Sequence, residues 1–165
     1  MELRRFWRHV LMSPLRVHRS FPAATLDAIQ REVAAQEQRH RGEVCFVVEA
    51  ELATAQLWRG VLSRDRAREV FATQGVWNTE ENNGVLVYVL LADRKVEVVA
   101  DRGVDRKVSP GEWQAICHLM EGHFRAGRFE EGAIAGVHAV SEILARHFPA
   151  SAQERNELGD RPVLM

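Results

Sequence analysis

The chain is predicted to be an α/β protein, a three-layer α/β/α sandwich around a small mixed sheet. Three observations support this. A short, continuously apolar run, Val44 to Val48, lies between two helical stretches, the pattern of a strand buried on both faces. Two further apolar runs, Val85–Leu91 and Val96–Val99, are joined by the tight turn Ala92-Asp93-Arg94-Lys95 and read as an antiparallel hairpin. The order of elements, α-β-α-β-β-α-α, puts helices on both sides of the sheet, and the hairpin means that the sheet is not purely parallel.

The elements follow in order. Residues 1 to 20 carry Arg4, Arg5, Arg8, Arg16 and Arg19 against Glu2, a local charge of +4. Leu3, Phe6, Trp7, Val10 and Leu11 recur at helical spacing and form one apolar face. Such a helix docks either on its own domain or a second subunit, the commoner outcome, or on an anionic membrane surface. Residues 1–19 are therefore set apart as a basic amphipathic segment, 20–150 as the domain, and 151–165 as a polar tail. Ser20-Phe21-Pro22 opens a helix reaching about His40, with Leu26, Ile29 and Val33 on one face, and Arg41-Gly42 ends it. Residues 52–60 have no decisive pattern. Ser63 is positioned to cap a helix to about Thr73, with Ala67, Val70 and Phe71 inward, and Gly75 closes it.

The C-terminal half is the clearest helical sequence. Ser109-Pro110-Gly111-Glu112 reads as a capping box with Pro at the first helical position, opening a helix that stops at Gly127. Its inward face takes Trp113, Ile116, Leu119 or Met120, and Phe124. A second helix runs from about Phe129 to Phe148, with Ala133, Val137, Val140 and Leu144 on one face. Gly132 and Gly136, four apart, allow a close approach to another element.

Composition excludes several classes. Of 165 residues, 46% are apolar and 27% charged, which is ordinary for one globular domain. The net charge of −1 provides no global field for nucleic acid, so none is expected as a partner. Of 22 basic residues only Lys95 and Lys107 are lysines. The two cysteines, Cys45 and Cys117, fall in a strand and a helix and read as small buried hydrophobes. No export signal or membrane-spanning run is visible, so the expected location is cytoplasmic, with residues 1–20 the one candidate for contact with the inner face of the membrane.

The familiar catalytic motifs are absent. There is no G-x-x-x-x-G-K-[ST], no G-x-G-x-x-G, no G-x-S-x-G and no C-x-x-C. His118 with Glu121, and His138 with Glu142, are helical neighbours rather than a zinc motif. What remains is oxygen-rich: Asn78, Glu80, Glu81, Asn82 and Asn83 before one strand, Asp93 after it, and Asp101 and Asp105 after the next. Carboxylates and amides without Cys or His suit a hard cation, Ca²⁺ or Mg²⁺. Hairpin geometry brings Asn78, Glu80, Asn82, Asn83 and Asp101, with Asp105 as a further candidate, to one end. Asp93 goes to the other, where Asp-Arg-Lys is ordinary turn chemistry.

Asn83-Gly84-Val85-Leu86, then Ala92-Asp93-Arg94-Lys95-Val96, then a turn at Gly103, resembles the core of the TPM domain, the family of thylakoid acid-phosphatase-like, photosystem-repair and receptor-modulating proteins. The similarity extends through Asp65-x-Ala67-x-x-x-Phe71, Phe124-Arg125-x-Gly127-x-Phe129 and Gly132-x-x-x-Gly136, over roughly residues 20 to 150. The form Trp77-x-Thr79-Glu80 with Ala100-Asp101-Arg102-Gly103 resembles a bacterial subgroup without a signal peptide. The resemblance implies a Rossmann-like α/β/α sandwich, with Ca²⁺ or Mg²⁺ bound in some members and acid phosphatase activity reported for some plant members. Asn82 stands where the family commonly has an acid, and Asn78 where the subgroup usually has Asp; both changes remove negative charge, while Asp101 adds one.

Two functions are expected. One is a binding or regulatory module with a weak Ca²⁺ or Mg²⁺ site. The other is a divalent-metal-dependent acid phosphatase acting on phosphomonoesters. Candidate metal ligands are Asp101, Glu80, Asn82, Asn83, Asn78 and Asp65, with Arg102 and Arg66 as candidate phosphate contacts and Gly84, Asp93 and Gly103 as turn formers. The module is favoured because no nucleophile stands out.

Overall fold

A computed structural model describes residues 3–151 and 157–165. Glu2 and residues 152–156 of the tail lie outside the described residues. Two short helices, α1 (Leu3–Val10) and α2 (Pro14–Ser20), open the chain, followed by α3 (Ala23–Glu37), β1 (Glu43–Glu49), α4 (Thr54–Trp58) and α5 (Ser63–Thr73). Next come β2 (Gly84–Leu90), β3 (Lys95–Ala100) and a four-residue turn of helix, α6 (Arg102–Asp105). The last elements are α7 (Pro110–Arg125), α8 (Phe129–His147) and a two-residue strand, β4 (Val163–Leu164).

The sheet order is β3-β2-β1-β4. β1 is parallel to both β2 and β4, while β2 and β3 form the expected antiparallel hairpin. Both central strands alternate between two cores. Val44, Phe46, Val48, Val85, Val87 and Val89 face α3, α7 and α8, whereas Cys45, Val47, Leu86, Tyr88 and Leu90 face α5. A continuous apolar run is therefore what each strand needs, because both faces are covered. On one side, Phe21, Ile29 and Val33 meet Trp113, Ile116, Met120 and Val137; on the other, Ala67 and Val70 pack with Leu52, Leu57 and Val76. This is an α/β/α sandwich with a mixed sheet.

Gly136 shows how closely α7 and α8 approach, since a Cβ there would lie 2.2 Å from Met120 Sδ. On α7, Met120 takes the buried position and Leu119 points outward. The carboxylate of Glu112 accepts the Ser109 N–H at 3.0 Å, which closes the start of that helix.

Four elements differ from the sequence expectation. Ser63 is the first residue of α5 rather than its cap; Asp65 accepts the Leu62 N–H, and the Ser63 hydroxyl donates to Glu97 at 2.6 Å. Ser20 ends α2, and Pro22 precedes α3. The region at 52–60 forms α4. The tail is not simply polar chain: Val163 and Leu164 pair with Val47 and Val48, and Met165 exchanges backbone hydrogen bonds with Val48 and Ala50.

Candidate functional site

The register divides the polar residues between the two ends of the sheet. Glu43 lies beside Gly84 and Val85 beside Ala100, so Asn82, Asn83, Asp101, Arg102 and Gly103 gather at one end. Glu49, Leu90 and Lys95 mark the other, together with Asp93 in the hairpin turn.

At the first end, Asp101 caps α6. Its Oδ1 accepts the Arg102 N–H at 2.7 Å, and its own N–H donates to Gly84 O at 2.8 Å. Asp101 Oδ2 is buried and has no partner among the described residues. Asn83 is similarly placed: its N–H donates to Thr79 Oγ1 at 3.0 Å, its Nδ2 donates to Arg41 O, and its buried Oδ1 has no partner among the described residues. Asn82 holds a left-handed conformation (φ 54°), and its Oδ1 accepts the Arg102 Nε–H at 3.0 Å. The backbone carbonyls of Glu81 and Asn82 crowd Gly103, where a Cβ would lie 2.8 and 2.5 Å from them. Gly103 is thus fixed by close approach of two loops rather than by backbone conformation.

Asn78 and Glu80 lie exposed on the rim of this end. The Glu80 N–H donates to the Glu157 carboxylate at 3.1 Å, and Glu81 pairs with Arg41. Two carboxyl groups that the sequence did not single out, the buried Glu43 and the half-buried Glu37, complete the surroundings. Glu43 accepts the N–H groups of Glu157 and Leu158 at 3.1 Å each, which ties the tail to β1. Glu37 accepts the Val44 N–H at 2.9 Å and shares a hydrogen bond with Asp160. Their signal in the sequence is faint: a Glu at a helix end and a Glu opening an apolar strand look like ordinary boundary residues.

Burial pushes the Glu37 carboxyl up to about 8, with the neighbouring Glu43 and Asp160 acting in the same direction and the Val44 N–H opposing it. Burial also raises Glu43. The folded state then holds protons that the unfolded chain releases near the ordinary value of 4.5. Stability is complete below that value and falls as pH rises towards 8, by up to about 1.4 kcal/mol per pH unit for one group. Glu37→Gln keeps an acceptor for Val44 and a donor for Asp160 without the charge. We expect it to flatten this slope and to add about 2 kcal/mol at alkaline pH. Urea titrations across neutral and alkaline pH check this; an unchanged slope would contradict the assignment.

Asp65 and Arg66 belong to the opposite end, so the structure does not bring them to Asp101. Asp65 is occupied at the start of α5. Arg66 donates through Nε and Nη2 to the buried Glu49 at 2.8–3.1 Å and through Nη1 to Glu69 at 2.8 Å, while the Tyr88 hydroxyl also donates to Glu49. Its guanidinium is committed to bracing β1 against α5.

Asp93 sits beside this brace and does more than turn the chain. Its carboxylate accepts Arg5 Nε and Nη2 at 2.8–3.1 Å and the His9 Nε2–H at 3.0 Å, with Arg8 at 3.6 Å. The Leu52 N–H donates to His9 Nδ1 at 2.9 Å, which leaves Nε2 as the ring N–H facing Asp93. Burial opposes ionisation of Asp93, but the His9 and Arg5 hydrogen bonds outweigh it and hold the carboxyl at about 2. Arg5 and His9 were not legible as its partners, because they lie 88 and 84 residues away.

The fold and both ends can be set beside known proteins. The family model described as the TPM domain matches residues 19–143. This chain belongs to the TPM-domain family. Among solved structures, the TPM-domain chain is similar to the BA42 protein of the psychrophilic bacterium Bizionia argentinensis. The two are 26% identical over 87% of this chain and 94% of that one, with a TM-score of 0.76. It also resembles in fold the N-terminal domain of a protein from P. gingivalis, at 24% identity over 78% of this chain and 81% of that one, with a TM-score of 0.58. No curated protein matches the sequence. The matched span covers α3 through most of α8 and includes the Asp101 end, while α1 lies before it.

Proposed function

We propose that this TPM-domain protein is a binding or regulatory module that takes Ca²⁺ or Mg²⁺ weakly at the Asp101 end of the sheet. The observation that carries this reading is the pair of buried oxygens without partners among the described residues, Asp101 Oδ2 and Asn83 Oδ1, at one end of one sheet. A buried acceptor without a donor costs roughly 1–3 kcal/mol, and a hard cation offsets that cost directly.

The chemistry of the donors fits a weak site and not a strong one. They are all oxygens, with a single carboxylate among the buried pair. No three His, Cys, Asp or Glu side chains converge in metal-binding geometry among the described residues. The Arg102 guanidinium, bound to Asn82, adds a positive charge beside them. Asn78 and Glu80 on the rim are left as outer contacts.

Calorimetric titration with Ca²⁺ and Mg²⁺ tests the reading. Binding near the millimolar range is expected for the wild type, weakened at least about tenfold in Asp101→Asn, which keeps the α6 cap but loses the charge. No heat at millimolar ion, or equal binding by the variant, would remove the site. Metal-stimulated turnover of a phosphomonoester, lost in the same variant, would replace the module with a divalent-metal-dependent acid phosphatase.

A further inference from the structure

The first helix is docked in an unusual way. Amphipathic helices commonly bury their apolar face and leave the charged one in water. Helix α1 instead faces the domain with Arg5 and His9, pinned to Asp93, and packs Phe6 against the adjoining core. Its apolar face is left outside. Leu3 is 67% exposed, Trp7 50% and Val10 48%, and beyond the helix end Leu11 is 73% and Leu15 74% exposed. Isolated exposed leucines need no explanation, but five large apolar residues along one helix pair do.

Basic residues border this face. An open groove of about 700 Å³ is lined by Leu3, Trp7 and Leu11 together with Arg4, Arg8, Arg16 and Arg94, and among the described residues no acidic side chain lines it. Arg4, Arg16 and Arg94 form no ion pair among the described residues, so their charge is available. No helix among the described residues is long and apolar enough to cross a membrane.

We propose that the outward face of α1 and α2 binds an anionic phospholipid bilayer at its surface. Leu3, Trp7, Leu11 and Leu15 would enter the boundary between headgroups and acyl chains, the arginines would meet lipid phosphates, and Trp7 is suited to that boundary by its apolar ring and polar N–H. Charge decides against a second copy of this chain as occupant. Two such faces meeting would oppose arginines to arginines, whereas an anionic surface neutralises them. The Asp93 pins hold the helix in this presentation, so the surface is built before it meets lipid. The inference is independent of cation binding at the other end of the sheet.

Vesicle flotation of the full chain tests it, using phosphatidylcholine vesicles with and without phosphatidylglycerol. Binding is expected only with phosphatidylglycerol and should weaken at high salt. Trp7→Glu and Leu11→Glu each remove an exposed apolar contact and should abolish flotation with unchanged thermal melting. Each of Arg4→Gln and Arg94→Gln should weaken binding about fivefold. Equal flotation with neutral vesicles, no flotation at all, or flotation retained in both apolar variants would overturn the proposal. So would concentration-dependent self-association that Trp7→Glu abolishes in the absence of any lipid binding.

Discussion

Gly84→Ala is expected to destabilise the fold by about 3 kcal/mol or more. A Cβ at Gly84 would lie 2.0 Å from Val76 O and 3.0 Å from Val76 Cγ1. The obstructing atom is backbone, so no rotamer change relieves the clash. Val76 is itself buried, and its N–H donates to Phe71 O at 3.1 Å, which prevents an easy retreat. Gly84 also begins β2 and accepts the Asp101 N–H, so moving it disturbs the candidate site. Gly75→Ala is the informative control. Its positive φ (70°) makes alanine strained, but nothing lies within 4 Å of the added Cβ, so a loss of only about 1 kcal/mol is expected. Urea unfolding of both variants separates the effects; equal losses would show that close approach is not what requires glycine at 84.

Asp93→Ala is the second large effect expected, at about 3–5 kcal/mol. Among the described residues, the substitution leaves His9 without its acceptor and Arg5 with only the Val61 carbonyl, 2.7 Å from Nη2, and both side chains are mostly removed from water, with Arg5 16% and His9 1% exposed. Detachment of α1 relieves this, so limited trypsin cleavage within residues 3–10 should accelerate along with the loss of stability. Asp93→Asn keeps an acceptor for His9 and should fall between the two. The pH dependence has a definite sign. The folded carboxyl titrates below its ordinary value of 3.8, so this stabilisation is complete above that value and is lost as pH falls through about 2. An Asp93→Ala protein as stable and as resistant to trypsin as wild type would show that the pins do not hold the helix.

Much of this fold was legible because its signals are local and repetitive. The apolar run Val44–Val48 reads as a strand with both faces covered, and β1 is buried at every position; the run Val85–Leu91 reads as one arm of a hairpin, and the strand there is Gly84–Leu90. The Ser109–Glu112 pair and the Gly132–Gly136 spacing carry their own physical reasons, a closed helix start and a close helix crossing. Helix α6 and strand β4 were not legible, because four and two residues are too few to show a period. The candidate site was partly legible. Strand register follows from the hairpin and collects Asn82, Asn83 and Asp101, but nothing local reveals that Asp65 and Arg66 go to the opposite end. The role of Asp93 was hidden for a related reason: turn chemistry explains the residue locally, and its partners come from a helix at the far end of the sequence. The same gap concealed which face of α1 is buried, since the charged partner overrides the usual hydrophobic choice.

Residue-resolved NMR during a Ca²⁺ titration locates the bound cation. Saturable shifts are expected at the amides of Asn83, Asp101, Arg102 and Gly103, with the Asp93 turn and the Glu49–Arg66 brace unmoved. Shifts centred on Glu37, Glu43 and Asp160 in place of Asp101, or no shifts at millimolar Ca²⁺, would contradict cation binding at the Asp101 end.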